Sequence, residues 1–145
     1  IENYLIIQKF RYGEKIEVNI DIEPEIEKFK IPKLILQPIV ENAIVHGIEN
    51  MVGNGIINIY GALSNDNIIL TVTDNGLGIN EERIKTILSA AEHSHRANKH
   101  TNIGLRNVDR RIKIYYGEEY GVQIQSREGH GTTVTLSFPI EQLIS

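Results

Sequence analysis

The sequence predicts an α+β fold: a two-layer sandwich in which a mixed sheet of about five strands carries helices on one face. Three observations predict it. Short β-branched runs come in pairs, 55–63 with 67–73 and 121–127 with 132–138, each pair joined by a tight polar turn. Around these pairs, residues 33–49, 81–91 and 103–116 space their apolar side chains at helical intervals. The 145 residues, 41% apolar and 23% charged, amount to one domain with one core. Hairpins separated by helices fit a single sheet covered on one side.

Taken in order, Leu5, Ile6 and Phe10 among Gln8, Lys9 and Arg11 predict a helix ending near Gly13. Residues 15–22 alternate Ile16, Val18, Ile20 and Ile22 against Glu17, Asn19 and Asp21, which predicts a half-buried strand. Pro24 and the charged residues up to Lys30 read as a loop. Pro32 suits the first turn of the helix 33–49. Pro38 lies inside that helix and predicts an irregular or kinked first turn. Asn80 is placed to cap the helix 81–91. Residues 89–102 lose all periodicity and are too long for an ordinary connection, so a mobile lid is expected there. The helix 103–116 stops at Gly117, and the second hairpin turns at Glu128-Gly129-His130-Gly131.

Composition narrows the function. The net charge of −4 gives no footprint for nucleic acid or an anionic membrane. With no cysteine, disulfides and thiolate metal sites are excluded. His93, His95 and His100 lack the ligand spacing of a structural zinc site. Residue 1 is Ile, and a helix is already under way there, so the chain is expected to be part of a longer protein.

The chemistry concentrates in Thr73-Asp74-Asn75-Gly76-Leu77-Gly78-Ile79, where a strand delivers a carboxylate into a glycine-rich turn. Such glycines let a ligand approach the main chain. The Asp can accept from a ligand's exocyclic amine, whereas a phosphate would be repelled. An ordinary strand-to-helix turn would need no more than these residues either. On the helix 33–49, Leu36, Ile39, Val40, Ala43, Ile44 and Gly47 form an apolar stripe, with Asn42 and His46 four residues apart on its flank. Glu41 stands beside Asn42. An amide oxygen can ligate Mg²⁺ and a carboxylate can orient a nucleophile, although polar residues also simply face solvent on most helices. Gly104 opens the helix 103–116, where free amides and the helix dipole favour an anion. There is no Gly-x-x-x-x-Gly-Lys-Ser/Thr, and Gly76-x-Gly78 lacks the third glycine of a dinucleotide fingerprint.

Four ordered stretches carry a resemblance. Residues 38–47 (PIVENAIVHG) resemble an N box, 74–79 (DNGLGI) a first glycine box, 103–108 (IGLRNV) a second and 129–132 (GHGT) a third. Together they resemble the Bergerat-type ATP-binding domain of the gyrase, chaperone, histidine kinase and MutL superfamily. Leu36-Gln37-Pro38-Ile39-Val40-Glu41-Asn42-Ala43 with His46-Gly47 is similar to the LytS-type sensor histidine kinases. The resemblance implies ATP and Mg²⁺ as ligands. It implies that Asn42 ligates the metal, that Glu41 orients or activates the phosphoryl acceptor, and that His46 lies near the phosphates. Asp74 would bind the adenine amine with Thr132 in support. Gly76, Gly78 and Ile79 would line the base, and the amides of Gly104 and Leu105 would face the phosphates.

The same resemblance implies a phosphoacceptor histidine on an upstream helical domain, of which residues 1–12 would be the end, with 13–145 as the catalytic domain. None of the five histidines here matches that acceptor stretch. The phosphate would pass to a response regulator. The parent would be a homodimeric membrane sensor with this domain in the cytoplasm, and the isolated chain a monomer. Val45 stands where many relatives carry Lys, and Asn102 where the second glycine box often has glycine; both imply modest ATP affinity. An ATP-driven conformational switch and a binding module without phosphoryl transfer are the rival functions.

Overall fold

The computed structural model describes residues 1–32, 34–89 and 103–140. The expected lid beyond Ser89, with the histidines at 93, 95 and 100 and Asn102, lies outside the described residues. The elements run α1 (Glu2–Tyr12), β1 (Ile16–Ile22), α2 (Pro24–Glu27), α3 (Leu36–Asn42) continued by a π-helical turn (Ala43–Ile48), β2 (Gly55–Ser64), β3 (Asn67–Asp74), α4 (Glu81–Leu88), α5 (Ile103–Tyr116), β4 (Gly121–Arg127) and β5 (Gly131–Pro139). The five strands form one mixed sheet in the order β1-β2-β3-β5-β4, with β1 parallel to β2 and the other neighbours antiparallel. Among the described residues no helix is long and apolar enough to cross a membrane.

Strand alternation sets the layers. Ile57 and Ile59 on β2, Ile68, Leu70 and Val72 on β3, and Val134, Leu136 and Phe138 on β5 all face one side and are buried there. Register stacks them in rows across the sheet, Val72 between Ile59 and Val134, and Leu70 between Gly61 and Leu136. The helices cover that side with Ile39, Val40, Ile44 and Ile48, and with Leu105, Val108 and Ile112. Each such side chain removed from water contributes about 1.5–3 kcal/mol, which is why the two layers stay together. The other face carries Asn58, Tyr60, Gln123 and Gln125, all exposed. The fold is therefore the two-layer sandwich that the paired hairpins predict.

Four local readings need correction. The stretch after Pro24 is a helical turn rather than a loop. Pro24 occupies its first positions, and Ile26 is buried against β2 and β3 near Gly61 and Leu70. The next helix starts at Leu36, so Pro32 lies outside it: Leu34 takes a left-handed backbone (φ 63°), which a helix cannot continue through. Pro38 sits in the first turn, where its missing N–H removes no intrahelical bond, and the irregularity comes later. The Glu49 N–H donates to the Ile44 carbonyl at 2.8 Å, five residues back. On β1, Ile20 is 47% exposed: β1 is an edge strand of the sheet, with only β2 beside it among the described residues.

The turns follow their residue chemistry. Asn65 and Asp66 both adopt positive φ between the paired Ser64 and Asn67, the two-residue hairpin that suits twisted strands. Asn80 caps α4, its Oδ1 accepting from the Arg83 N–H at 2.9 Å, and the helix is described to Leu88 rather than 91.

Candidate functional site

The alternation that turns Ile68, Leu70 and Val72 inward also turns Asp74 inward, one step past the apolar series. It is only 6% exposed, between Ile57 of β2 and Thr132 of β5 in register. Burial pushes its carboxyl up to about 6, against the opposing pull of backbone hydrogen bonds from Gly76 and Thr132. The Gly76 N–H donates to Oδ1 at 2.8 Å. No cation contributes to its ionisation among the described residues. A buried carboxylate with spare acceptor capacity, and no counter-charge among the described residues, is able to accept from a ligand donor.

The π-helical turn forms the wall above it. A Cβ on Gly47 would lie 2.8 Å from Asp74 Oδ1, so only glycine leaves the carboxylate in place. The Gly47 carbonyl accepts from the Leu77 N–H at 2.9 Å, tying the helix to the glycine turn. Gly76 packs so tightly on the Gly47 backbone that a Cβ there would overlap it. Gly78 has φ 72° and abuts the Arg127 carbonyl, and the Gly129 N–H donates to the Leu77 carbonyl at 2.7 Å. These two glycines thus serve close packing against the helix and the β4–β5 turn. Asn75 faces away and pins the turn to the start of β2: its Oδ1 accepts from the Ile56 N–H at 2.7 Å.

Sequence reasoning missed Ser126. Its Oγ accepts from the Ile79 N–H at 2.8 Å and lies 2.8 Å from both the Gly131 carbonyl and Thr132 Oγ1. The Ile79 amide is therefore engaged inside the protein. A serine on an edge strand has no spacing that signals a partner 47 residues away.

The structure brings Asp74, Gly76, Gly78, Ile79 and Thr132 into one network beside Gly47. His46 is the neighbour of Gly47 and half-buried; burial first, then Arg83, holds its pKa below the ordinary value, with Glu49 opposing. Asn42 is half-buried at the end of α3, and Glu41 is exposed. Glu41 is close enough to α1 that, after burial, it helps push the Tyr4 hydroxyl up to about 12. Gly104 opens α5 against Pro38 of α3, where a Cβ would stand 3.3 Å from Pro38 Cβ. Leu105 is a core residue, 1% exposed, so only its backbone could meet a ligand. Among the described residues no cluster of three His, Cys, Asp or Glu could hold a metal by itself. An Mg²⁺ here would rest on Asn42, phosphate oxygens and water, a donor set that suits it.

A sequence model of the histidine kinase-, DNA gyrase B- and HSP90-like ATPases matches residues 28–142. The chain belongs to this ATPase family. It is similar to the sensor histidine kinase YpdA of Escherichia coli, 39% identical over 96% of this chain and 23% of YpdA. It is also similar to YesM of Bacillus subtilis (32% identical, 96% of this chain and 22% of YesM) and to the sensor protein LytS of Staphylococcus saprophyticus (31%, 99% and 24%). The chain thus spans about a quarter of the length of these curated relatives. In fold it resembles the catalytic domain of histidine kinase ThkA, with TM-score 0.69 at 20% identity over 95% of this chain and 89% of that one. This ATPase-family domain is thus similar, over nearly its whole length, to the sensor histidine kinases named above.

Proposed function

We propose that this ATPase-family domain binds Mg²⁺-ATP and transfers the γ-phosphoryl group to a histidine on an upstream helical domain, from which a response regulator receives it. The observation that carries the reading is the buried Asp74 carboxylate beneath Gly47, an acceptor without a counter-charge among the described residues. Asp74 accepts from the adenine amine, and Thr132, directly across the ladder, supports it. Gly76, Gly78 and Ile79 shape the floor of the base site. Asn42 holds the Mg²⁺, which neutralises phosphate charge when bound. The backbone amides of Gly104 and Leu105 at the start of α5 meet the phosphates.

Glu41 is exposed one residue before Asn42, within reach of an incoming domain, and takes the proton lost by the attacking imidazole. The new P–N bond forms as the bond to the ADP oxygen breaks. His46, whose charged form is disfavoured by burial and then by Arg83, positions the helix beside the phosphates. Residues 1–12 are read as the end of the upstream region, and 13–145 as the catalytic unit. Helix α1 supports this division: it buries Leu5 against the domain but leaves Ile6, Ile7 and Phe10 exposed, an apolar face suited to a helical neighbour. The parent is proposed to be a homodimeric membrane sensor with this domain in the cytoplasm, and the isolated chain a monomer.

Calorimetric titration of Mg²⁺ and an ATP analogue into the chain tests the site. Asp74→Asn is expected to abolish adenine-dependent binding, and Asn42→Ala to remove only the Mg²⁺-dependent part. A parent chain that binds no nucleotide at millimolar concentration refutes the reading. Phosphoryl transfer to an added helical domain then separates a kinase from a binding module.

A further inference from the structure

We propose that Ser126 is a specificity-determining positioning residue: it fixes the direction of the Thr132 hydroxyl and so makes the base site present only acceptors beside Asp74. The inference rests on the nucleotide reading above and deepens it.

The supply of protons decides the direction of each bond. Ser126 Oγ has one proton and two lone pairs. Three neighbours lie at 2.8 Å: the Ile79 N–H, the Gly131 carbonyl and Thr132 Oγ1. The Ile79 N–H can only donate, so it uses one lone pair. The Gly131 carbonyl can only accept, so it takes the Ser126 proton. The remaining lone pair then accepts the Thr132 proton, and every group is satisfied. Were Ser126 to donate to Thr132 instead, its contact with the Gly131 carbonyl would carry no hydrogen and one lone pair would stay unused. Thr132 is buried, 6% exposed, and a hydrogen bond lost there is costly.

With its proton committed to Ser126, Thr132 offers only lone pairs. Thr132 is the direct cross-strand partner of Asp74, on the same inward face. The ionised carboxylate is also acceptor-only. Two adjacent acceptors select a base edge that carries a donor, the 6-amino group of adenine, and reject the 6-oxo group of guanine. A hydroxyl free to rotate would donate to that oxo group and weaken the distinction. Ser126 touches no base itself; it acts through Thr132.

The test is the ratio of ADP to GDP affinity, measured by calorimetry on the 145-residue chain, with a thermal melt of each variant. Ser126→Ala is expected to lower the ratio by about three- to tenfold, the span of one neutral hydrogen bond. Ser126→Thr, which keeps the hydroxyl, should restore the parental ratio. In a Thr132→Val background, Ser126→Ala should leave the ratio unchanged, because the group through which it acts is gone. Loosening of the turn alone would weaken both nucleotides equally. An unchanged ratio in Ser126→Ala, or an equal drop in the Thr132→Val background, overturns the proposal while leaving the site intact. A parent chain that binds neither nucleotide overturns the nucleotide reading, and this inference with it. Should Ser126→Ala not fold, Ser126→Cys, with its weak sulfur acceptor, carries the same test.

Discussion

Gly47 and Asp74 meet without room for a single carbon: a Cβ on the glycine would stand 2.8 Å from Oδ1 and 3.1 Å from Cγ of the carboxyl group. They come from the π-helical turn and the end of β3, elements separated by a whole hairpin strand. The close contact between the helix and the glycine turn is thus also the place where the buried carboxyl group is held.

Gly47→Ala follows directly. Its methyl group must displace the Asp74 carboxyl group or lift the helix from the turn. Overpacking of this kind is expected to destabilise the chain by about 1–3 kcal/mol. Because the carboxylate moves, adenine nucleotide binding should be lost even where the variant remains folded. Thermal melting and calorimetry together check this. A variant with parental affinity contradicts it.

Asp74 predicts a pH dependence whose sign is unusual for a carboxylate. Its folded value, about 6, lies above the ordinary 3.8. The folded chain therefore holds this proton more tightly than the unfolded one. That contribution to stability is fully present below 3.8 and is lost as pH rises through about 6. Above both values the loss amounts to about 3 kcal/mol, at roughly 1.4 kcal/mol for each tenfold difference in proton affinity. Asp74→Asn cannot ionise, so it should melt higher than the parent near pH 8, with the difference closing near pH 4. Binding runs the other way: the parent's affinity for adenine nucleotide should fall as pH drops below about 6 and the acceptor is protonated. Melting curves and titrations across this range measure both.

Asp109 predicts a purely structural effect. It is 8% exposed and accepts from the Val122 N–H and from Lys113 Nζ, each at 2.9 Å. Asp109→Ala leaves the buried Val122 N–H unpaired and should destabilise by about 1–3 kcal/mol. Asp109→Asn keeps an oxygen for that N–H and loses only the partly exposed pair with Lys113, so its effect should be smaller. Neither change should alter the ADP to GDP ratio. Denaturant titration of both variants ranks them.

What can be read from the sequence is local. Period-two runs give β2, β3, β4 and β5 nearly to the residue, and α5 appears at Ile103–Tyr116 as its periodicity predicts. Asp74 is visible because it follows an inward series and precedes two glycines. The start of α3 is not, because Leu34 carries no sign of its left-handed backbone. The turn at Pro24–Glu27 is too short for periodicity, and its stability comes from docking Ile26 on the sheet.

The sequence by itself determined the five strands, α5 and the apolar faces of the four strands β2–β5, since these follow from side-chain spacing within a few residues; the helical turn at Pro24–Glu27 and the start of α3 were beyond it. The tertiary structure alone decided the order β1-β2-β3-β5-β4, the contact of Gly47 with Asp74, and the convergence of Ser126 on Ile79, Gly131 and Thr132. The contacts of Gly47 with Asp74 and of Ser126 with Ile79 join residues far apart in the chain, and register and close packing set all of these contacts. Spacing along the sequence carries no record of a distance across the sheet.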